Sequence, residues 1–249
     1  MIHLKSPQDL AIMRDANRIV AGILAALTAM VAPGVTTMDL NDLSEALARK
    51  HRVQPAFKDY KGFPCALCAS VNEEVVHGIP SRTRVLREGD VISLDFGVVH
   101  RGFYGDAAIT VPVGEVNEAA RRLLRTAEEA LCQGIAQALA GNHLSAISHA
   151  IQSHVERQGY SVVREFTGHG IGRDLHEEPQ VPNFGRPGMG VQLRAGMVLA
   201  IEPMVNEGES AVEVLQDGWT AVTKDRRLSV HFEHSVAITE NGTEILSTV

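Results

Sequence analysis

"GDVISLDFG" (residues 89–97) decides how this chain is read. Val91, Ile92 and Leu94 mark a strand bound for burial, and the run then closes on Asp95. A carboxylate in an apolar layer is heavily penalised unless something pairs with it. "GMVLAIE" (196–202) repeats the phrase and closes on Glu202, 107 residues after Asp95. Gly34 and Gly141 are separated by the same 107 residues, and each precedes a helical pattern: "TTMDLNDLSEALARKH" after the first, "HLSAISHAIQSHVERQG" after the second. At this offset Leu40 answers Ile147 and Val91 answers Val198. A second strand with a second acid follows each time, Asp106 in "YGDAAITV" and Glu233 in "FEHSVAIT". The acids are 11 residues apart in the first half and 31 in the second, which predicts an elaborated hairpin region between Glu202 and Glu233.

These echoes predict an internal repeat, approximately 34–106 and 141–233, within a single domain spanning 1–249. Each half reads helix, helix, strands. Two such halves related by a pseudo-two-fold axis give an α+β fold, with a central, mostly antiparallel sheet and helices packed on its outer face.

The remaining sequence is consistent with a soluble globular protein. The 249 residues suffice for a sizeable core, and 45% are hydrophobic. With 23 basic and 30 acidic side chains the formal net charge is −7, which argues against a nucleic-acid or anionic-membrane binder. "RRLLR" (121–125) reads as one side of a solvated helix. Three cysteines, Cys65, Cys68 and Cys132, suit a reducing compartment rather than a disulfide framework. The lone "CALC" motif could be a redox pair or half a zinc site, but it reads better as pocket lining or chance spacing. The apolar run "IVAGILAALTAMVA" (19–32) starts too late for a signal peptide and is too short for a membrane span. "SPQD" (6–9) instead predicts a helix start, with Ser6 as N-cap, Pro7 in the first turn and Asp9 closing a capping box.

If the halves pair about their axis, Asp95, Asp106, Glu202 and Glu233 converge. Four ionised carboxylates cannot persist unpaired in a low-dielectric site, and two divalent cations would balance them. "TGHGIGRDLHEEP" (167–179) offers imidazoles at His169, between two glycines that let backbone pass close to a ligand, and at His176. An oxygen-rich set with one imidazole favours Mn, Fe, Co or Zn without selecting among them. Taken alone, Gly-His-Gly could be a turn with an exposed histidine, and His77 in "NEEVVHGIP" (72–80) reads as structural until the site is considered as a whole.

"NEEVVHGIP", "SLDFG", "YGDAAIT", "TGHGIGRDLHEEP", "AIEPM" and "FEHSVAIT" together resemble the signature segments of type I methionine aminopeptidases, across nearly the whole chain. The resemblance implies the pita-bread (creatinase/aminopeptidase) fold and a dinuclear site. Its five ligands would be Asp95, Asp106, His169, Glu202 and Glu233, with Asp106 and Glu233 bridging. His77 and His176 would face the substrate, and Glu202 would shuttle a proton. Tyr60, Phe63, Cys68 and Trp219 would line the methionine pocket. Leu175 stands where the family often has Phe, and Phe57 where it often has Cys, so the pocket shape is open. The implied reaction removes the initiator methionine from nascent polypeptides when the next residue is small, by a hydroxide held between the ions. The implied form is compact and bacterial-type: a cytoplasmic monomer without nucleic-acid or membrane partners, with a ribosome contact left open. Two rivals are a proline-directed peptidase of the same fold and a binding module that has lost catalysis. The first usually carries an added N-terminal domain, and the second usually loses ligands that are all present here.

Overall fold

The structure is a computed structural model and describes residues 1–248. In chain order the elements are α1 (Pro7–Met30), α2 (Thr37–His51), β1 (Gln54–Pro55), β2 (Cys68–Val71), β3 (Glu74–Val76), β4 (Val91–His100) and β5 (Phe103–Pro112). There follow α3 (Glu118–Ala136), α4 (Ser145–Arg157), β6 (Ser161–Val162), β7 (Gly168–Gly170), β8 (Glu177–Val181), β9 (Val198–Ile201) and β10 (Met204–Asn206). The last are β11 (Val212–Val214), β12 (Ala221–Thr223), β13 (Ser229–His231), β14 (Glu233–Thr239) and β15 (Gly242–Ile245).

Local chemistry sets the helix starts. Ser6 and Asp9 form a reciprocal capping box at α1, with Pro in the first turn. Thr36 and Asp39 form another at α2. Each caps orphan amides that the helix cannot satisfy itself. Gly34 and Gly141 enter α2 and α4 with φ of +95° and +94°, a region that disfavours side chains.

A nine-stranded sheet runs β1-β4-β5-β14-β9-β7-β8, with β15 added to β14 and β2 to β4. Its pairings are antiparallel. One apolar layer joins α1 and α2 to β4 and β5 through Val20, Ile23, Leu27, Leu40, Leu94 and Phe96. A matching layer joins α3 and α4 to β9 and β14 through Leu123, Ile147, Ile151, Leu199 and Val236. With the helices holding one face, the other face is left for the site. The residues between Glu202 and Glu233 form β10 to β13, of which β11 and β12 pair as a hairpin that joins β3.

One expectation needs correcting. Asp95 does not end its strand: β4 continues to His100, with Phe96 and Val98 buried beyond it, and turns at Arg101 and Gly102. Glu202 does follow the end of its strand, β9. The two carboxylates therefore leave their strands differently, although their lead-in sequences match.

Candidate metal centre and substrate cavity

The pleat sends the acids to one side. In the β4–β5 ladder Asp95 faces Ala108 and Gly97 faces Asp106, so Asp95 and Asp106 share a face. Ala108 also pairs with Glu233 of β14, which puts Asp95, Ala108 and Glu233 in one cross-strand row. Ala200 pairs with Ser235 on one side and His169 on the other, and parity carries that same face to Glu202, two residues on. Gly97, Ala108 and Ala200 are small, leaving room above the sheet for the acids.

His169 sits on a strand that only glycines could build. A Cβ on Gly168 would lie 2.3 Å from the Ala200 carbonyl oxygen, and one on Gly170 would lie 2.3 Å from that of Glu178. The glycines thus serve close approach to neighbouring backbone, a demand the sequence reading did not include. His169 Nδ1 donates to its neighbour's carbonyl, Gly170 O, at 2.9 Å. In a neutral ring this leaves the Nε2 lone pair free. Burial pushes the ring down to about 4, so it is neutral near pH 7.

Ligating atoms of Asp106, His169 and Glu233 all lie within 4.8 Å of one another, and all three residues are buried. His169 Nε2 lies 3.5 Å from Glu202 Oε1. Asp95 Oδ1, Asp106 Oδ1 and Glu233 Oε1 are buried without a hydrogen-bond partner. Burial, and then mutual repulsion, pushes Asp106 and Glu233 well above the ordinary carboxylate range. Burial raises Glu202 to about 8, and burial with the Glu202 charge raises Asp95 to about 7. Orphaned carboxylate oxygens beside an imidazole lone pair form a donor set that a divalent metal fits.

A cavity of about 200 Å³ opens over the cluster. Asp95, Asp106, His169, Glu202 and Glu233 floor it, and Phe57, Tyr60, Phe63, Cys68, Leu175 and Trp219 wall it together with His77 and His176. Phe63 meets Trp219 edge-on, with ring centroids 5.2 Å apart. The Tyr60 hydroxyl lies 2.9 Å from His176 Nδ1. His77 takes a positive φ of 60°, uncommon for a side chain this size, and its ring meets Phe166 and Trp219 edge-on. Burial lowers His77 to about 4 and also lowers His176, so both are neutral donors near pH 7.

Three residues of this site escaped the sequence reading. Lys61 joins the cavity wall. Asn183, fully buried, donates from Nδ2 to the Glu202 carbonyl at 2.9 Å. His231 places Nε2 3.5 Å from Glu202 Oε2. Its only sequence signal is proximity, for it ends β13 two residues before Glu233 opens β14. Nothing in the sequence marks Asn183.

The sequence matches the model for metallopeptidase family M24 over residues 11–240. The chain belongs to this family. Within it, the chain is 50% identical over 249 residues to methionine aminopeptidase 1 of Bacillus subtilis strain 168, covering 100% of both chains. Its backbone matches the crystal structure of methionine aminopeptidase from Thermotoga maritima with a TM-score of 0.99, at 49% identity and 100% coverage of each. Prolidase from Pyrococcus furiosus shares the fold alone, at a TM-score of 0.81 and 22% identity, and this chain covers 65% of that one. The pita-bread architecture is therefore that of the family, and a metallopeptidase centre agrees with the orphaned carboxylates.

Proposed function

We propose that this chain removes the N-terminal methionine from nascent polypeptides whose second residue is small, acting in the cytoplasm as a monomeric catalytic unit over 1–249. The observation that carries the reading is the buried Asp106–His169–Glu233 cluster beneath a cavity walled by Phe63, Cys68 and Trp219. Asp95, Asp106, His169, Glu202 and Glu233 would hold two divalent ions. Bound there, the ions would supply Lewis-acid polarisation and a water of lowered pKa.

The chain's own groups do the rest. The wall of Phe63, Cys68, Leu175 and Trp219 takes the methionine side chain, and the Cys68 sulfur suits a thioether. His77 and His176 donate N–H groups to oxygen where negative charge develops on the first peptide carbonyl. Glu202 Oε accepts the proton released by the attacking water and returns it to the leaving amine. Tyr60 holds His176 by its hydroxyl, and burial excludes bulk water from the reacting carbonyl.

Peptides Met-Gly-X and Ala-Pro-X, offered to protein stripped of metal and refilled with Mn, test the assignment. Cleavage of the first alone is expected. Preference for Ala-Pro-X would favour a proline-directed peptidase, and no metal-dependent turnover would favour a binding module.

A further inference from the structure

His231 is buried to 1% exposure, and its Nε2 has no hydrogen-bond partner. A polar nitrogen left so is costly unless it serves something. Glu202 Oε2 lies 3.5 Å from it. The other oxygen of that carboxylate faces His169 Nε2 at the same 3.5 Å, so Glu202 stands between two imidazoles. The two rings differ in role. His169 spends its Nδ1 proton on Gly170 O and keeps a lone pair at Nε2. His231 can present an N–H at Nε2, and a shift of about 0.5 Å by the carboxylate would bring that contact to an ordinary bond length.

The backbone of His231 is fixed with unusual completeness. Its N–H donates to Thr110 Oγ1 at 2.9 Å, and the Thr110 hydroxyl donates back to its carbonyl at 2.7 Å. The Ser93 hydroxyl, 2.8 Å away, completes the Thr110 oxygen from the opposite strand. His231 also pairs with Met204, two residues after Glu202. The Glu202 backbone is held by Asn183. The backbone at both ends of the His231–Glu202 contact is therefore held, His231 by the Thr110 hydroxyl and Glu202 by the Asn183 amide.

We propose that His231 is a positioning residue for the metal centre, donating from Nε2 to Glu202 Oε2 and so aiming Oε1 at the site shared with His169. The inference rests on the metallopeptidase reading above. Partners of this outer kind typically change metal affinity by about 10–100-fold when removed.

The test is a titration of metal-stripped protein with Mn²⁺ alone, read by calorimetry, in wild type, His231→Gln and His231→Leu. Gln keeps a neutral N–H donor of similar reach, and Leu keeps volume without one. Wild-type affinity retained within about threefold in His231→Gln, with a loss of about 10–100-fold in His231→Leu, is the expected result. Equal affinity in all three overturns the positioning role, and equal loss in both variants also overturns it by making the imidazole itself a ligand. Should His231→Leu fail to fold, His231→Ala takes its place as the variant without a donor and is read against His231→Gln in the same way. Failure of the underlying reading looks different: wild type itself would take up no Mn²⁺, or Asp106→Asn would bind it as tightly as wild type.

Discussion

The Tyr60 hydroxyl sits 2.9 Å from Nδ1 of His176, and the two rings stack with centroids 5.5 Å apart. A hydroxyl donating to Nδ1 leaves the ring proton on Nε2, available to a bound carbonyl. Tyr60 thus does more than line the cavity. Tyr60→Phe removes one neutral hydrogen bond of about 0.5–1.5 kcal/mol, so kcat on Met-Gly peptides should fall about two- to tenfold. KM should move little, because the ring remains. A raised KM with unchanged kcat would restrict Tyr60 to side-chain binding.

His77 tests the division between binding the ions and binding the substrate. It walls the cavity but lies outside the tight Asp106–His169–Glu233 cluster. His77→Ala should keep wild-type metal content and lose about 10²–10³ in kcat, the effect of removing one donor to developing oxyanion charge. Asp106→Ala and Glu233→Ala should behave differently, losing metal as well as turnover. Metal analysis beside steady-state kinetics separates the two patterns, and a His77→Ala protein with normal kcat would return this histidine to a structural role.

The raised carboxylates make metal uptake and pH inseparable. Asp95 rises from 3.8 to about 7 and Glu202 from 4.5 to about 8 in the metal-free fold. Because folded values exceed unfolded ones, these groups cost the fold nothing below pH 4 and withdraw stability as pH rises toward 8. Metal-free protein should therefore lose Tm between about pH 5 and 8, relative to metal-loaded protein over the same window. Metal binding at pH 7 should release protons, since ligating carboxylates must be ionised. Calorimetry in two buffers of different ionisation enthalpy measures that release, and zero release would show that the cluster is already ionised without metal.

A buried ion pair ties the start of the chain to the site. Lys5 Nζ meets Glu177 Oε2, with side chains only 5% and 6% exposed. Glu177 Oε1 also accepts the Arg173 N–H at 2.8 Å. The Lys5 N–H donates to Gly196 O at 2.7 Å, so residues before α1 clamp the loop that carries Leu175 and His176. Lys5→Met should strand the carboxylate and destabilise the protein by about 3–5 kcal/mol in urea unfolding. Lys5→Met with Glu177→Gln should recover part of that loss, as one buried charge left alone is worse than none.

What was legible in the sequence follows from pattern. Strand parity and a constant offset carried Asp95 and Glu202 into one reading, and the capping box at Ser6 was written in its own residues. Other features depend on packing between distant segments. The continuation of β4 past Asp95 is driven by Phe96 and Val98 burying against the helices, which no local signal in "SLDFG" announces. The glycines flanking His169 answer to the carbonyls of Ala200 and Glu178, a constraint that only the folded neighbours reveal. Lys5 and Glu177 are 172 residues apart and look like ordinary surface charges until the fold joins them.

Leu175 bears on which side chains the cavity accepts. It is 3% exposed and packs in one apolar cluster with Phe57, Phe63 and Cys68. It also walls the cavity beside Trp219 and precedes His176 in the chain. Leu is smaller than the Phe common at this position in the family it resembles, so the wall recedes there. Ethionine, one methylene longer than methionine, should be cleaved at its N-terminal position with little penalty. Leu175→Phe refills the volume and should reduce kcat/KM for ethionyl peptides more than for methionyl ones. One methylene is worth about 1–3 kcal/mol of discrimination, so the ratio should shift roughly 10-fold or more without becoming absolute. β-Branched Val and Ile should remain poor at the first position in both proteins, because their stiffness near the scissile bond does not depend on cavity depth. Competition assays with paired Met-Gly and ethionyl-Gly peptides read the ratio directly. Equal losses for both substrates would place Leu175 in the support of His176, with the methionine pocket shaped by Phe57, Phe63 and Trp219 instead.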